Sequence, residues 1–315
     1  MPYYRTYVER MIQGTGVARV MPALLAVVRR ALGRRVARGL PGFAVEHMRG
    51  LAEGSGIPFE QILEGATMPD SFLWLASRLM QVQRVGPAMA HRLTLGLGCT
   101  SALAWGEATV DGKLLHARNF DYHGVGCWPK TAAVIFHEPT EGQRYVAVGA
   151  AGVPMGGVTS MNQAGLTLTM HQHMFTDGAR LGGTAVGVLG DEIMRKAETL
   201  DDAEAMLSAH RPIGSWTYLI ADGKSREVLC WEENPDRNAA TRPQPGEDMF
   251  SYTNIYIDAE LGKTELDVYA TDFAKDSMVI YKLKYKDNED RELDNFVGMT
   301  EDQEGESTVV EENAD

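Results

Sequence analysis

Cys99 stands in the run Gly96-Leu97-Gly98-Cys99-Thr100-Ser101, and Arg118-Asn119-Phe120-Asp121 follows nineteen residues later. A cysteine thiol is a moderate nucleophile at neutral pH and a good one beside a base. Residues 102–110 and 113–118 read as strands joined at Asp111-Gly112, and their antiparallel pairing brings Cys99 toward Arg118 and Asp121. Thr253-Asn254 is a third polar segment that chemistry can use. Each residue also has an ordinary reading: a small buried hydrophobe for Cys99, a surface ion pair for Arg118 and Asp121. His171-x-His173 places two imidazoles on one face of a strand, but no third ligand has matching spacing, so they read as pocket-lining or structural and no metal is expected. His123 follows Asp121 closely enough to line the mouth of a site there. No Gly-x-Ser-x-Gly elbow occurs, and Gly182, Gly183, Gly187 and Gly190 lack phosphate-loop spacing.

The elements that must position these residues change character at Cys99. Before it the pattern is helical: residues 15–39, 43–53, a short helix after Ile57-Pro58, and 71–80. After it, strands read at 131–137, 144–150, 157–161 and 166–171. Helices follow at 185–198 and 200–210, then strands at 216–221, 227–232 and 249–253. Strands, then helices, then strands indicate an α+β fold with antiparallel sheets rather than a βαβ series.

Charge divides the chain at the same place. The net charge is -13, which disfavours a nucleic-acid binder. Residues 1–98 nonetheless hold 12 Arg against 6 acids, whereas residues 287–315 hold 12 acids against Arg291 alone. The expected organisation is a basic helical leader over 1–98, a catalytic domain over 99–286 and an acidic, disordered tail over 287–315. The apolar run 20–28 is too short to span a bilayer and reads as an amphipathic helix. Three cysteines with no Cys-x-x-Cys indicate a reducing compartment, hence a cytoplasmic protein.

In order along the chain, Gly98-Cys99-Thr100-Ser101, His116-Ala117-Arg118-Asn119-Phe120-Asp121, Met161-Asn162-Gln163-Ala164-Gly165-Leu166 and Thr253-Asn254 resemble one family. It is the autoproteolytic acyltransferases and hydrolases typified by acyl-CoA:isopenicillin N (6-aminopenicillanic acid) acyltransferase, peptidase family C45, among the N-terminal-nucleophile hydrolases. Choloylglycine hydrolase and acid ceramidase are more distant relatives. Upstream, residues 48–56 resemble the family's propeptide helix, so the likeness covers roughly residues 40–255.

The resemblance implies a four-layer αββα sandwich with a helical propeptide. It implies self-cleavage between Gly98 and Cys99, after which the Cys99 thiol is the nucleophile and its own α-amine the base. The amine has a reference pKa of about 7.7–8. Asp121 would hold that amine, and Arg118 would neutralise Asp121 or contact substrate. Asn254 would donate to the oxyanion, with a second donor from a backbone N–H near Met170–Gln172. His123, His171 and Gln172 would contact substrate. By the same resemblance the substrate would be a small N-acyl amide, with acyl-CoA as co-substrate for a transferase, no cofactor, and the cleaved leader retained as a small subunit. Two departures stand out: Ile255 follows Thr-Asn where the family often has His, and Arg291 is the only Arg after Asn254, so the C-terminal lobe reads as short or diverged. Alternatives are a non-catalytic binding or scaffold protein on the same fold and a peptidase of small peptides.

Overall fold

The structure is a computed structural model and describes residues 30–81, 98–121, 131–151, 156–173, 176, 178–264, 279–286 and 292–299. Its contacts divide the chain into two units, residues 1–265 and 266–315.

In the first unit the leader is helical where described. Residues 30–37 are helical, followed by α1 (Gly42–Ser55), α2 (Phe59–Ala66) and α3 (Met68–Gln81). Pro41 and Pro58 stand immediately before α1 and α2, and α1 ends on Gly56 at φ 68°, a left-handed position that suits glycine. Ala44 and Met48 of α1 and Ile62 and Ala66 of α2 form one apolar stripe. With Val36 they pack on Ala185, Val188 and Ile213 of the body. Where it is described, the leader is therefore joined to the body through a shared hydrophobic core.

Seven strands form a meander in chain order: β3 (Ala132–His137), β4 (Tyr145–Ala150), β5 (Thr159–Asn162), β6 (Leu166–Gln172), β7 (Trp216–Asp222), β8 (Glu227–Asn234) and β9 (Arg237–Thr241). The helices α4 (Val186–Lys196) and α5 (Leu200–Ala209) lie between β6 and β7 in the chain. α4 packs on the sheet at a glycine pair: a Cβ on Gly157 would stand 2.2 Å from the Gly190 carbonyl carbon. β7 and β8 are buried almost without alternation, as strands covered on both faces must be.

The second face of that sheet meets a three-stranded antiparallel sheet in the order β10-β1-β2, built from β1 (Gly98–Ala104), β2 (Leu115–Asp121) and β10 (Met249–Tyr252). Leu103, Trp105 and Tyr252 pack there against Leu219, Ala221, Val228 and Cys230. The α+β sandwich of two stacked antiparallel sheets is the architecture expected from the sequence. A short helix, α6 (Ala259–Gly262), follows β10, with Asp258 capping it through the N–H groups of Glu260 and Leu261.

Several boundaries differ from expectation. β1 starts at Gly98 and gives way after Ala104 to a 3-10 turn at Gly106–Ala108, so Asp111-Gly112 belongs to a longer connection rather than a two-residue hairpin. The second unit contains β11 (Val279–Lys286) paired antiparallel with β12 (Glu292–Met299). The strand at 292–299 replaces the disorder expected there. Its apolar residues Leu293, Phe296, Val297 and Met299 stand in a segment whose acid count masked them. Residues 300–315 lie outside the described residues, as does 15–29 of the expected first helix.

Candidate active site

Cys99 is the second residue of β1, the central strand of the small sheet, and only 7% exposed. The β1–β2 register sets Cys99 opposite Phe120, Ser101 opposite Arg118 and Gly98 opposite Asp121. Cross-strand pairs and their diagonals share a face, so Cys99 and Arg118 point together into the sandwich. Arg118 Nη2 donates to Cys99 Sγ across 3.1 Å.

Both terminal nitrogens of the guanidinium are held. Nη2 also donates to the Met170 carbonyl at 2.5 Å. Nη1 donates to the Val158 carbonyl at 2.7 Å and to the Thr159 hydroxyl. Its Cζ lies 4.6 Å from the Phe120 ring centroid. Only a planar fork of donors can serve so many acceptors at once.

Those acceptors exist because β5 is short. It pairs with β6 only as far as Thr159 opposite Thr169. Beyond that point no strand among the described residues pairs with this edge of β6, and alternate residues turn their backbone groups toward it. The Met170 carbonyl accepts from Arg118, and the Gln172 carbonyl accepts from Asn254 Nδ2 at 2.7 Å.

Asn254 follows β10, β1's other neighbour. Its Oδ1 accepts from the Cys99 backbone nitrogen at 2.5 Å. The orientation of this amide is forced, because an N–H faces one end and a carbonyl the other. One residue thus spans the nucleophile's nitrogen and this edge of β6.

Behind Cys99 the sandwich is polar. Ser101 Oγ hydrogen-bonds His171 Nε2 and Thr169 Oγ1, each at 2.9 Å. His116 bridges Thr167 and Thr169. Burial, then the Arg118 cation, pushes the His116 imidazole down to about 4. The same two causes, in that order, hold His171 well below its ordinary value. Both rings are therefore neutral at physiological pH, leaving Arg118 as the cation at the sulfur.

His171, expected to contact substrate, is wholly buried and hydrogen-bonds Ser101 on β1. His173 is as deeply buried, bonded to Thr217 and Tyr252 and stacked 3.7 Å from the Tyr256 ring. Gln172 enters the site through its carbonyl. His123 and the Asp121 side chain lie outside the described residues; the Asp121 backbone pairs with Gly98. Sequence reasoning missed Glu232 and Tyr252, which lie behind Asn254. Their signal, a Glu in a buried strand and a Tyr two residues before Asn254, is faint without the fold.

Residues 108–314, well over half of the chain, match the family described as Acyl-coenzyme A:6-aminopenicillanic acid acyl-transferase. The chain belongs to this family. The match begins after Cys99 and takes in Arg118, Asp121 and Asn254. It also extends through the acidic C-terminal segment, so this segment falls within the family's domain rather than beyond a shortened lobe. An uncharacterized protein of Archaeoglobus fulgidus is 26% identical over 234 residues, covering 71% of this chain; the chain spans 37% of that relative's length. Among solved structures, a Caenorhabditis elegans N-acylethanolamine-hydrolyzing acid amidase ortholog is 14% identical with a TM-score of 0.41, over 52% of this chain and 73% of that one. A mutant of the conjugated bile acid hydrolase from Clostridium perfringens is 13% identical with a TM-score of 0.39, over 62% of this chain and 63% of that one. Among the described residues no helix is long and apolar enough to cross a membrane.

Proposed function

We propose that this acyltransferase-family member is an autoprocessed cysteine amidohydrolase or acyltransferase acting on small N-acyl amides through a thioester at Cys99. The carrying observation is the double hold on Cys99, with Arg118 at the sulfur and Asn254 at the nitrogen.

In the continuous chain the Cys99 nitrogen is a peptide N–H and no base. The Cys99 thiol attacks the Gly98 carbonyl, the C–N bond breaks and the acyl group moves to sulfur. Water then hydrolyses that thioester, leaving a Gly98 carboxylate, a free thiol and a new α-amine. Gly98 carries no side chain to obstruct the approach.

In the processed enzyme the α-amine takes the thiol proton as Sγ attacks the substrate carbonyl. The hydrogen bond from Arg118 to sulfur strengthens as sulfur becomes anionic. Asn254 Oδ1 accepts from the amine and turns its lone pair toward the thiol. The second Asn254 amide hydrogen and the Gln172 N–H, which faces the same edge of β6 as the Gln172 carbonyl, serve the oxyanion. Asp121, whose backbone pairs with Gly98, is the residue assigned to steady the amine. Collapse releases the amine product, protonated by the α-ammonium that took the thiol proton, and leaves the acyl group on Cys99. Water or an acceptor amine completes the turnover, so hydrolase and transferase differ in acceptor access. Acyl-CoA is the thioester donor in the transferase case. The leader remains bound through the core around Met48 and Ile62.

A denaturing gel of the purified chain tests this reading. Wild type separates from 34.6 kDa into two fragments divided after Gly98, and Cys99→Ala stays whole. A wild-type chain that stays whole and accepts no acyl group favours a binding or scaffold role. Release of amino acids from small peptides, without acylation by other donors, favours a peptidase.

A further inference from the structure

Glu232 on β8 is wholly buried, and among the described residues no Lys or Arg forms an ion pair with it. Burying a carboxylate this way costs several kcal/mol unless strong hydrogen bonds offset it. Its bonds all go to one short segment. Oε1 accepts from the Tyr252 hydroxyl at 2.7 Å and from the Ile257 N–H at 2.6 Å. Oε2 accepts from the Asp258 N–H at 2.9 Å.

These donors flank Asn254 on both sides. Tyr252 ends β10 and is further fixed by Thr217 at 2.7 Å and His173 at 3.1 Å. Tyr256 is tied to the Glu233 carbonyl at 2.7 Å. The Ile257 and Asp258 N–H groups bond the carboxylate rather than backbone partners, so the turn that carries Asn254 is closed by a side chain from the other sheet. At its tip, Asn254 touches the Cys99 nitrogen and the Gln172 carbonyl.

We infer that Glu232 is a positioning residue: its carboxylate clamps the 252–258 turn and so sets the reach of Asn254 to Cys99. The inference rests on the proposed role of the Cys99–Asn254 pair. Glu232→Gln is the direct probe, because it keeps the shape while turning an amide donor against one of the backbone N–H groups.

The readout needs both a chemical and a substrate-free arm. In the acylation assay, Glu232→Gln lowers kcat by about 10–100-fold, the scale of a misplaced catalytic group, with KM nearly unchanged. Combined with Asn254→Ala it is no slower than Asn254→Ala alone, because both act through one contact. In protein labelled with 15N-asparagine, the Asn254 side-chain amide signals move or broaden in Glu232→Gln. Those of Asn162, bonded elsewhere to the Met194 and Ala197 carbonyls, stay in place. Tyr252→Phe, which deletes one clamp bond, gives the same changes at smaller size if Glu232→Gln does not fold. Losses that multiply in the double variant, or Asn254 signals unmoved by a folded Glu232→Gln or Tyr252→Phe, overturn the inference. A wild type without acyl chemistry instead overturns the proposed function and leaves the spectroscopic arm to decide the clamp.

Discussion

Asn254 Oδ1 lies 2.5 Å from the nitrogen of Cys99, a residue 155 positions earlier in the chain. The two meet because β10 and β2 flank β1, so segments far apart in sequence converge on the first residues of that strand. The amide end of the same side chain reaches the large sheet at Gln172. Substituting Asn254 therefore tests both the nucleophile's hold and the oxyanion donors. Asn254→Ala is expected to slow acylation by about 10²–10³-fold, the usual loss for one such donor. Asn254→Asp should be no better, because a carboxylate oxygen would face the Gln172 carbonyl. Single-turnover acylation measures both.

Arg118 gathers Cys99, Val158, Thr159 and Met170 around one guanidinium. Arg118→Lys keeps the charge but cannot reach all four acceptors. Losing charge-assisted hydrogen bonds of about 1.5–3 kcal/mol each predicts roughly a 10–100-fold slower acylation. Retention of wild-type rates in the lysine variant would show that charge alone suffices.

The leader shares an apolar cluster with the body. Met48 is buried in the cluster shared with Val188 and Ile213, so Met48→Ala is expected to destabilise the leader's packing by about 2–5 kcal/mol. High salt, which screens surface charge within a few ångströms, should leave leader and body associated. Size-exclusion chromatography of the processed protein at low and high salt distinguishes an apolar bond from an ionic one.

Asp70 on α3 supplies a pH signature. Its Oδ2 accepts from the Val186 N–H at the start of α4, across 3.1 Å. Burial raises its carboxyl to about 7, against the opposing pull of that N–H. A carboxyl raised by folding gives its full stability below the unfolded value and loses it as pH climbs to the folded one. The stability of wild type relative to Asp70→Asn should therefore fall across about pH 4–7, by up to about 1.4 kcal/mol per pH unit, and level off above. Denaturant unfolding of both proteins in Cys99→Ala background, which keeps the leader attached, gives the difference curve. His116 and His137, both held near 4 by burial first, act in the opposite sense over the same window and cancel in that difference.

Gly157 and Gly190 set the approach of α4 to the large sheet. Gly157→Ala places a Cβ against the Gly190 backbone, and overpacking of this kind costs about 1–3 kcal/mol or more. A lowered Tm with loss of Cys99 acylation is expected, since Met170, which holds Arg118, packs against Gly190 on the same helix.

The strands that carry the site were legible in the sequence because they alternate or run apolar between clear turn residues. The pairing of Cys99 with the Arg118 strand followed from adjacency alone. β9, Arg237–Thr241, was not legible: an edge strand with few apolar residues carries no burial pattern. The roles of Gln172 and His171 were hidden for another reason. Whether a strand residue offers its side chain or its carbonyl depends on where a neighbouring strand stops, here β5 at Thr159 opposite Thr169. The buried carboxylate of Glu232 was invisible too, since its partners are backbone N–H groups that no residue type announces.

The central claim is that acyl groups pass through the sulfur of Cys99. Intact-mass and peptide-mapping mass spectrometry, after brief reaction with a slow acyl donor and acid quench, tests it most directly. The account predicts a large fragment whose first residue is Cys99, carrying one acyl group that maps to that residue and leaves with hydroxylamine. An unmodified Cys99 in an uncleaved 34.6 kDa chain, or an acyl group on any other residue, would contradict it.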